Sequence, residues 1–269
     1  MSLVLNDARF LVDGYDLSGD GNEVAINRGA TNREFTAFGP NATRIFRPGH
    51  RTGDFRFAGF QTYGTNLVDD VLRQRLGRDP AAVGTNPVPF NAVPILVSAD
   101  GGDFGERCHG FGALAAHYTP ISGKAGEPQL FEISGTASAD LPVAAGVILE
   151  AGKTPIANSG TNQYMPAVQA GAIGATQKAY GIFQILAATG AGAAITLQIV
   201  SATNQGLTGV TPRLYSNIAA VAPGSPAVPL GTFSSFILNG PITDTWWALK
   251  LPGGGTYTSV TVAVAIVVF

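Results

Sequence analysis

The chain has 269 residues, of which 45% are apolar and 13% charged, with net charge −2; that is enough to bury one large core or two medium ones, and it excludes a disordered chain. One cysteine, Cys108, excludes an intrachain disulfide framework and a Cys-based zinc cluster, and no basic excess would draw the whole molecule to nucleic acid. Thirty-five Gly and 17 Pro among many Val, Thr, Ile and Phe predict short strands joined by tight turns, an all-β fold.

In chain order, Arg9 to Val12 reads as extended and leads through a Gly/Asp turn at Asp13 to Asn22. Glu23 to Ile26 and Arg33 to Phe38 then read as the strands of a hairpin. Gly39 to Gly53, with Pro40, Pro48 and the arginines Arg44, Arg47 and Arg51, reads as a long mobile loop. Asp54 to Gln61 alternates like a strand. Leu67 to Leu76 is the one predicted helix: positions 67, 68, 71, 72 and 76 form an apolar face, Thr65 or Asn66 caps it, and Gly77 ends it. Its first turn carries Asp69 and Asp70 and its last Arg73 and Arg75, as the helix dipole favours.

Strands are predicted at Ala92 to Ser98, Cys108 to Tyr118, Leu130 to Ala137 and Gly146 to Glu150, and Ala151 to Gln177 reads as a loop or domain junction. Beyond it, Tyr180 to Ala187, Ile195 to Ser201, Phe233 to Leu238, Trp246 to Leu251 and Ser259 to Val268 read as strands; Val260, Val262, Val264, Ile266 and Val268 keep a period of two. The organisation expected is two β-sandwich or barrel modules, 1–150 and 151–269, with one flanking helix. Charge is uneven: residues up to Lys153 hold 13 Lys+Arg and 17 Asp+Glu, whereas the last 116 hold only Lys178, Arg213, Asp244 and Lys250. So charge-poor a surface predicts that the second half is buried against copies of itself.

Motifs for chemistry are weak. Asp16, Ser18 and Asp20, followed by Gly21, imitate the start of a calcium loop, but position 12 of that loop is Asn27 rather than Glu, so a turn is the expectation. Gly110 to Ala115 fits a permissive dinucleotide pattern without a βαβ unit around it. Cys108 and His109 are adjacent on a strand and point to opposite faces, and His109 and His117 lie about 26 Å apart along it, too far for one site. Trp246-Trp247 must place one indole in the core. No nucleophile, base or metal constellation emerges, so neither an enzyme nor a cofactor is expected. The amino terminus, Met1 to Asn6, has neither a basic region nor a signal core, and no long apolar span occurs, so no membrane partner is expected.

Tyr15-Asp16-Leu17-Ser18, Asn22-Glu23-Val24, Glu34-Phe35-Thr36-Ala37-Phe38-Gly39 and Gly59-Phe60 resemble the opening hairpin and turn of the tail tube proteins of long-tailed bacteriophages. Gly112 to Tyr118 and Pro128 to Gly135 are similar to that family's central strand pair. Gly146-Val147-Ile148-Leu149, Gly240-Pro241-Ile242-Thr243-Asp244 to Trp247 and the closing Val-rich strand resemble elements of its longer members. The resemblance covers most of the chain. It implies a siphovirus-type virion protein, assembled in the host cytoplasm into rings that stack as a hollow tail tube. For a long chain with two tube-like modules it implies trimeric, pseudo-sixfold rings, although the second half lacks a counterpart of the 67–76 helix.

The partners so implied are other copies of the chain, the tape measure, tail terminator and distal tail proteins, and double-stranded DNA in passage. Ring stacking is expected from the amino-terminal arm through Phe10 and from the loop bearing Arg44, Arg47 and Arg51. Lumen lining is expected from acidic residues, with Asp54, Asp100, Asp103, Glu106, Glu127 and Glu132 as candidates, because a channel for DNA must not hold it. A capsid decoration protein or tail adhesin that binds a host receptor or glycan is the alternative.

Overall fold

The computed structural model describes residues 8–36, 44–63, 68–69, 72, 92–122, 127–190, 195–218, 230–253 and 257–269. It is all-β. β1 (Arg9–Val12) and β2 (Tyr15–Asp16) form a hairpin whose turn residues, Asp13 and Gly14, both have positive φ (48° and 85°), the mirror-image turn that suits the twist of a tight hairpin. A single 3-10 turn at Ser18–Asp20 leads into β3 (Gly21–Thr36), which pairs antiparallel with β4 (Arg44–Phe60) from Gly21↔Gly59 out to Thr36↔Arg44.

This long hairpin corrects the expected loop: within Gly39 to Gly53, residues 44–53 are strand. Pro48 is accommodated opposite Asn32, beside the register shift between Ala30 and Asn32, where a missing ladder donor is tolerated. The predicted helix lies largely outside the described residues. Val68, Asp69 and Leu72 are helical, and both apolar side chains are fully buried.

β5 (Val93–Ser98), β6 (Arg107–Ser122), β7 (Leu130–Ala137) and β8 (Ala144–Ala151) follow. β6 serves two layers. Its first residues lie between β5 and β8; after a register shift between Ala113 and Ala115 it pairs with β7 instead. β7 also pairs with β4, which gives a layer ordered β3-β4-β7-β6. Facing it are β1, β5 and the start of β6. Between them lies a core in which Phe10 stacks on Phe57 with ring centroids 3.8 Å apart, joined by Phe55, Phe111, Phe131, Ile133, Val68 and Leu72.

Three two-residue strands, β9 (Ile156–Ala157), β10 (Gln163–Tyr164) and β11 (Val168–Gln169), punctuate the predicted junction. Then come β12 (Lys178–Gly190), β13 (Ile195–Ala202), β14 (Thr211–Ile218), β15 (Leu230–Phe233), β16 (Leu238–Asn239), β17 (Trp246–Leu251) and β18 (Tyr257–Val268). The expected strand Phe233 to Leu238 is interrupted: Phe233 ends β15, Leu238 opens β16, and residues 234–237 between them are not strand. β14 has no counterpart among the predicted strands.

β18 pairs with β12 on one side and β8 on the other, so one hydrogen-bonded path runs β15-β12-β18-β8-β6-β5-β1-β2, across the boundary expected at residue 150. This sheet curls over a second core formed by Leu11, Leu96, Cys108, Tyr180, Ile182, Phe233, Ala263 and Ala265. On its other face, β12 and β18 pack Phe183, Ile185, Val262, Val264 and Ile266 against a five-stranded sheet, β10-β17-β13-β14 with β11, in a third core holding Leu197, Ile199, Trp247 and Leu249. The molecule is therefore layered, with β12 and β18 apolar on both faces. The scarcity of charge in the second half has this intramolecular cause, and burial against other copies is not required to explain it.

Candidate functional site

The β3-β4-β7-β6 layer turns one face to the first core and the other to solvent. Strand alternation puts Phe55, Phe57, Phe131 and Ile133 inside and Asp54, Arg56, Glu132 and His117 outside. Cross-strand register aligns the outer side chains in rows: Glu23, Ala58, Glu132 and Thr119; then Ala25, Arg56, Ser134 and His117. The packing of β4 against the Ser18–Asp20 turn requires glycine at 59, since a Cβ there would lie 2.0 Å from the Asp20 carbonyl oxygen.

Arg56 organises the face. Its Nε donates to Glu132 Oε1 at 3.0 Å and its Nη2 to Glu132 Oε2 at 3.1 Å, a two-pronged contact, while Nη1 donates to Glu23. The hydrogen bonds from Arg56 hold the Glu132 carboxyl below its usual range, and Glu132 in turn raises Arg56. With Asp54 added, three carboxylates stand against one guanidinium on these rows, so the face is mildly acidic. The layer's lower end is held by polar contacts: Gln61 Nε2 donates to the Tyr118 hydroxyl, which donates to Asp69 Oδ1, both at 2.9 Å. Burial pushes the Tyr118 phenol well above its usual value.

Both outer edges of this layer are unpaired among the described residues. Among the described residues β3 pairs only with β4, and β6 beyond Ala113 pairs only with β7. The two edge strands run antiparallel to each other, because three antiparallel pairings separate them.

The structure scatters the other candidates. Of the six acidic residues, Asp54 and Glu132 share the outer face; Asp100, Asp103 and Glu106 sit in the β5–β6 turn, where Asp103 meets Lys153 at 2.6 Å and Glu106 accepts from the Asp103 N–H at 2.7 Å; Glu127 precedes β7. Phe10, expected at a stacking surface, is 2% exposed and belongs to the first core. Arg44, Arg47 and Arg51 lie on β4 opposite Thr36, Arg33 and Ala30. Residues 1–7 of the amino-terminal arm lie outside the described residues.

At the calcium-like turn, Asp16 Oδ2 accepts from Arg9 Nε at 3.0 Å, and Oδ1 accepts from the Ser18 N–H at 3.1 Å and from the Ser18 hydroxyl. Asp20 stands apart, its carboxyl raised by burial. The carboxylate of Asp16 is thus already used in closing the turn, and among the described residues no group of three or more His, Cys, Asp or Glu could hold a metal. Cys108 is buried, which pushes its thiol up to about 12; His109 is half-buried, lowered first by burial and then by Arg28. Gly110 to Ala115 is strand β6. No described helix is long and apolar enough to cross a membrane.

No protein-family model matches the chain, and no curated protein matches it. Among solved structures, a chain from the virion of a native gene transfer agent particle is 15% identical, covers 53% of this chain and 98% of its own, and superposes with a TM-score of 0.34. A chain from the tail of an empty gene transfer agent particle, solved with C6 symmetry, is 16% identical over 46% of this chain and 81% of its own, at TM-score 0.29. The SPP1 Dit protein, described as a hub of the adsorption apparatus in phages infecting Gram-positive hosts, is 13% identical over 97% of this chain and 99% of its own, at TM-score 0.32. Superpositions at this level do not establish a shared fold.

Proposed function

We propose that the chain is a structural, non-enzymatic subunit of a bacteriophage tail, and that it forms rings which stack into a tube for DNA passage. The observation that carries this reading is the β3-β4-β7-β6 layer: apolar inside, mildly acidic outside along the rows holding Glu23 and Glu132, Arg56, and Asp54, with two edge strands of opposite direction that are unpaired among the described residues. An open edge of 16 residues such as β3 is a template for pairing, and proteins cover such edges. Pairing β3 of one copy with the β6 edge of the next keeps strict antiparallel alternation, so the layer can continue from copy to copy until it closes. In the closed ring the face with Asp54, Glu132 and Arg56 lines the lumen, and its acidic balance keeps DNA phosphates from binding.

Strand arithmetic favours six chains per ring. At a spacing of about 4.8 Å and a tilt of roughly 40°, four strands from each of three chains would enclose about 24 Å between backbones, too narrow for duplex DNA once side chains are in place; six chains would enclose about 48 Å. The described residues contain one such layer per chain, where the trimer expected from two tube-like modules needs two. The second half, residues 151–269, then forms a module on the outside of the ring.

Negative-stain electron microscopy of the concentrated protein at neutral pH tests the reading. Hollow tubes or stacked rings are expected, with sixfold averages; monodisperse particles at every concentration would overturn it.

A further inference from the structure

On the outer face of the five-stranded sheet, away from its core, register aligns one row across four strands: Tyr164 on β10, Lys250 on β17, Gln198 on β13 and Tyr215 on β14. Their neighbours in sequence, Leu197, Ile199, Leu249 and Leu251, all face the core, so the row faces outward. Phe236 extends it, its ring centroid 6.5 Å from that of Tyr215. Tyr164 and Phe236 are each 41% exposed, unusual for large rings with a core available on the other face. Lys250 Nζ stands 5.7 Å from the Tyr164 ring centroid, and among the described residues no carboxylate pairs with it. The one acid of the second half, Asp244, is taken by Arg213. Beneath the centre of the row, Gln198 Oε1 is buried and has no hydrogen-bond donor among the described residues.

We infer that this row is a binding site for an acidic oligosaccharide. Aromatic rings offer flat apolar faces to the C–H faces of sugars, and the tyrosine hydroxyls at their tips suit sugar hydroxyl groups. Charge complementarity selects the acidic class: Lys250 is an unneutralised cation midway along an otherwise uncharged row, in a half of the chain with almost no other charge. The span from Tyr164 to Tyr215 is three strand spacings, roughly 14 Å, the reach of about three pyranose rings. The layer order puts this sheet at the opposite side of the molecule from the β3-β4-β7-β6 face, with three cores between, so the site does not depend on the proposed ring and remains accessible outside it.

Equilibrium binding of the full chain to trigalacturonate and sialyllactose, with maltotriose as the neutral control, tests the inference. At least one acidic probe is expected to bind more tightly than maltotriose. Tyr164→Ala and Tyr215→Ala should each weaken that binding about tenfold, and Lys250→Gln should abolish the preference for the acidic probe, with thermal unfolding of all three variants near the parent. Binding of none of the probes, binding unchanged in the variants, or impaired self-assembly of the variants without saccharide binding, which would assign the face to contacts between copies, would each overturn it.

Discussion

Gln184 on β12 is fully buried and joins the halves of the chain: its Nε2 donates to the Pro94 carbonyl at 3.0 Å and its Oε1 accepts from the Gly14 N–H. Beside it, Asp13 Oδ1 accepts from the Gly231 N–H at 2.9 Å, and the Tyr180 hydroxyl lies 2.9 Å from the carbonyls of both Gly110 and Pro142. Pro94 retains the Asp13 N–H as a donor, so Gln184→Leu strands chiefly the Gly14 N–H. A loss of about 1–3 kcal/mol in urea unfolding is expected, with β1–β2 the first region to lose hydrogen-exchange protection. Asp244 gives a pH signature. The Ser201 hydroxyl donates to its Oδ2 at 2.6 Å and Arg213 Nη2 at 3.0 Å, which together hold its carboxyl below 3.8. A lowered folded value means that the contribution is complete above the ordinary aspartate range and disappears as pH falls through the folded value. Asp244→Asn should therefore be less stable than the parent by about 1–3 kcal/mol at pH 7, and equal to it in strong acid, in denaturant titrations run across pH.

At the scale of elements, the β3–β4 hairpin is the part least legible from sequence. Pro48, Gly49 and Gly53 read as breakers, yet the strand runs through them because β4 is supported by β3 on one side and, from Asp54, by β7 on the other. β14 has no period-two signature because Pro212 and Arg213 interrupt its alternation, and the bulge between Ile199 and Val200 on its partner absorbs the irregularity. Deleting Thr43 to Arg51 would remove the outer end of the hairpin and leave Phe55 and Phe57 in place. The variant is expected to fold with a melting midpoint within a few degrees of the parent and to fail to stack rings in electron micrographs; normal tubes would show that the hairpin has no part in stacking.

For the whole molecule, the acidic balance of the β3-β4-β7-β6 face predicts how assembled tubes treat DNA. Asp54→Lys changes an exposed side chain with no bearing on the core. Tubes of that variant should retain short duplex DNA at low salt and release it steeply as salt rises, whereas parent tubes should show no retention in the same filter assay. Equal behaviour of the two would place this face elsewhere than in the lumen.

Composition and period alone determined the all-β class, most strand positions and the core phase of β4, β7, β13, β17 and β18, because alternation of apolar side chains is a local property of a strand with one buried face. Of the six acidic residues expected at a lumen, Asp54 and Glu132 share the outer face of the β3-β4-β7-β6 layer. Tertiary structure decided the rest. That β12 and β18 are buried on both faces, that β6 divides between two layers, that Phe10 is core, and that Tyr164, Lys250, Gln198 and Tyr215 form one row all depend on pairings between residues far apart in the chain. Register is set there by packing and hydrogen bonding across strands, which no local pattern in the sequence encodes.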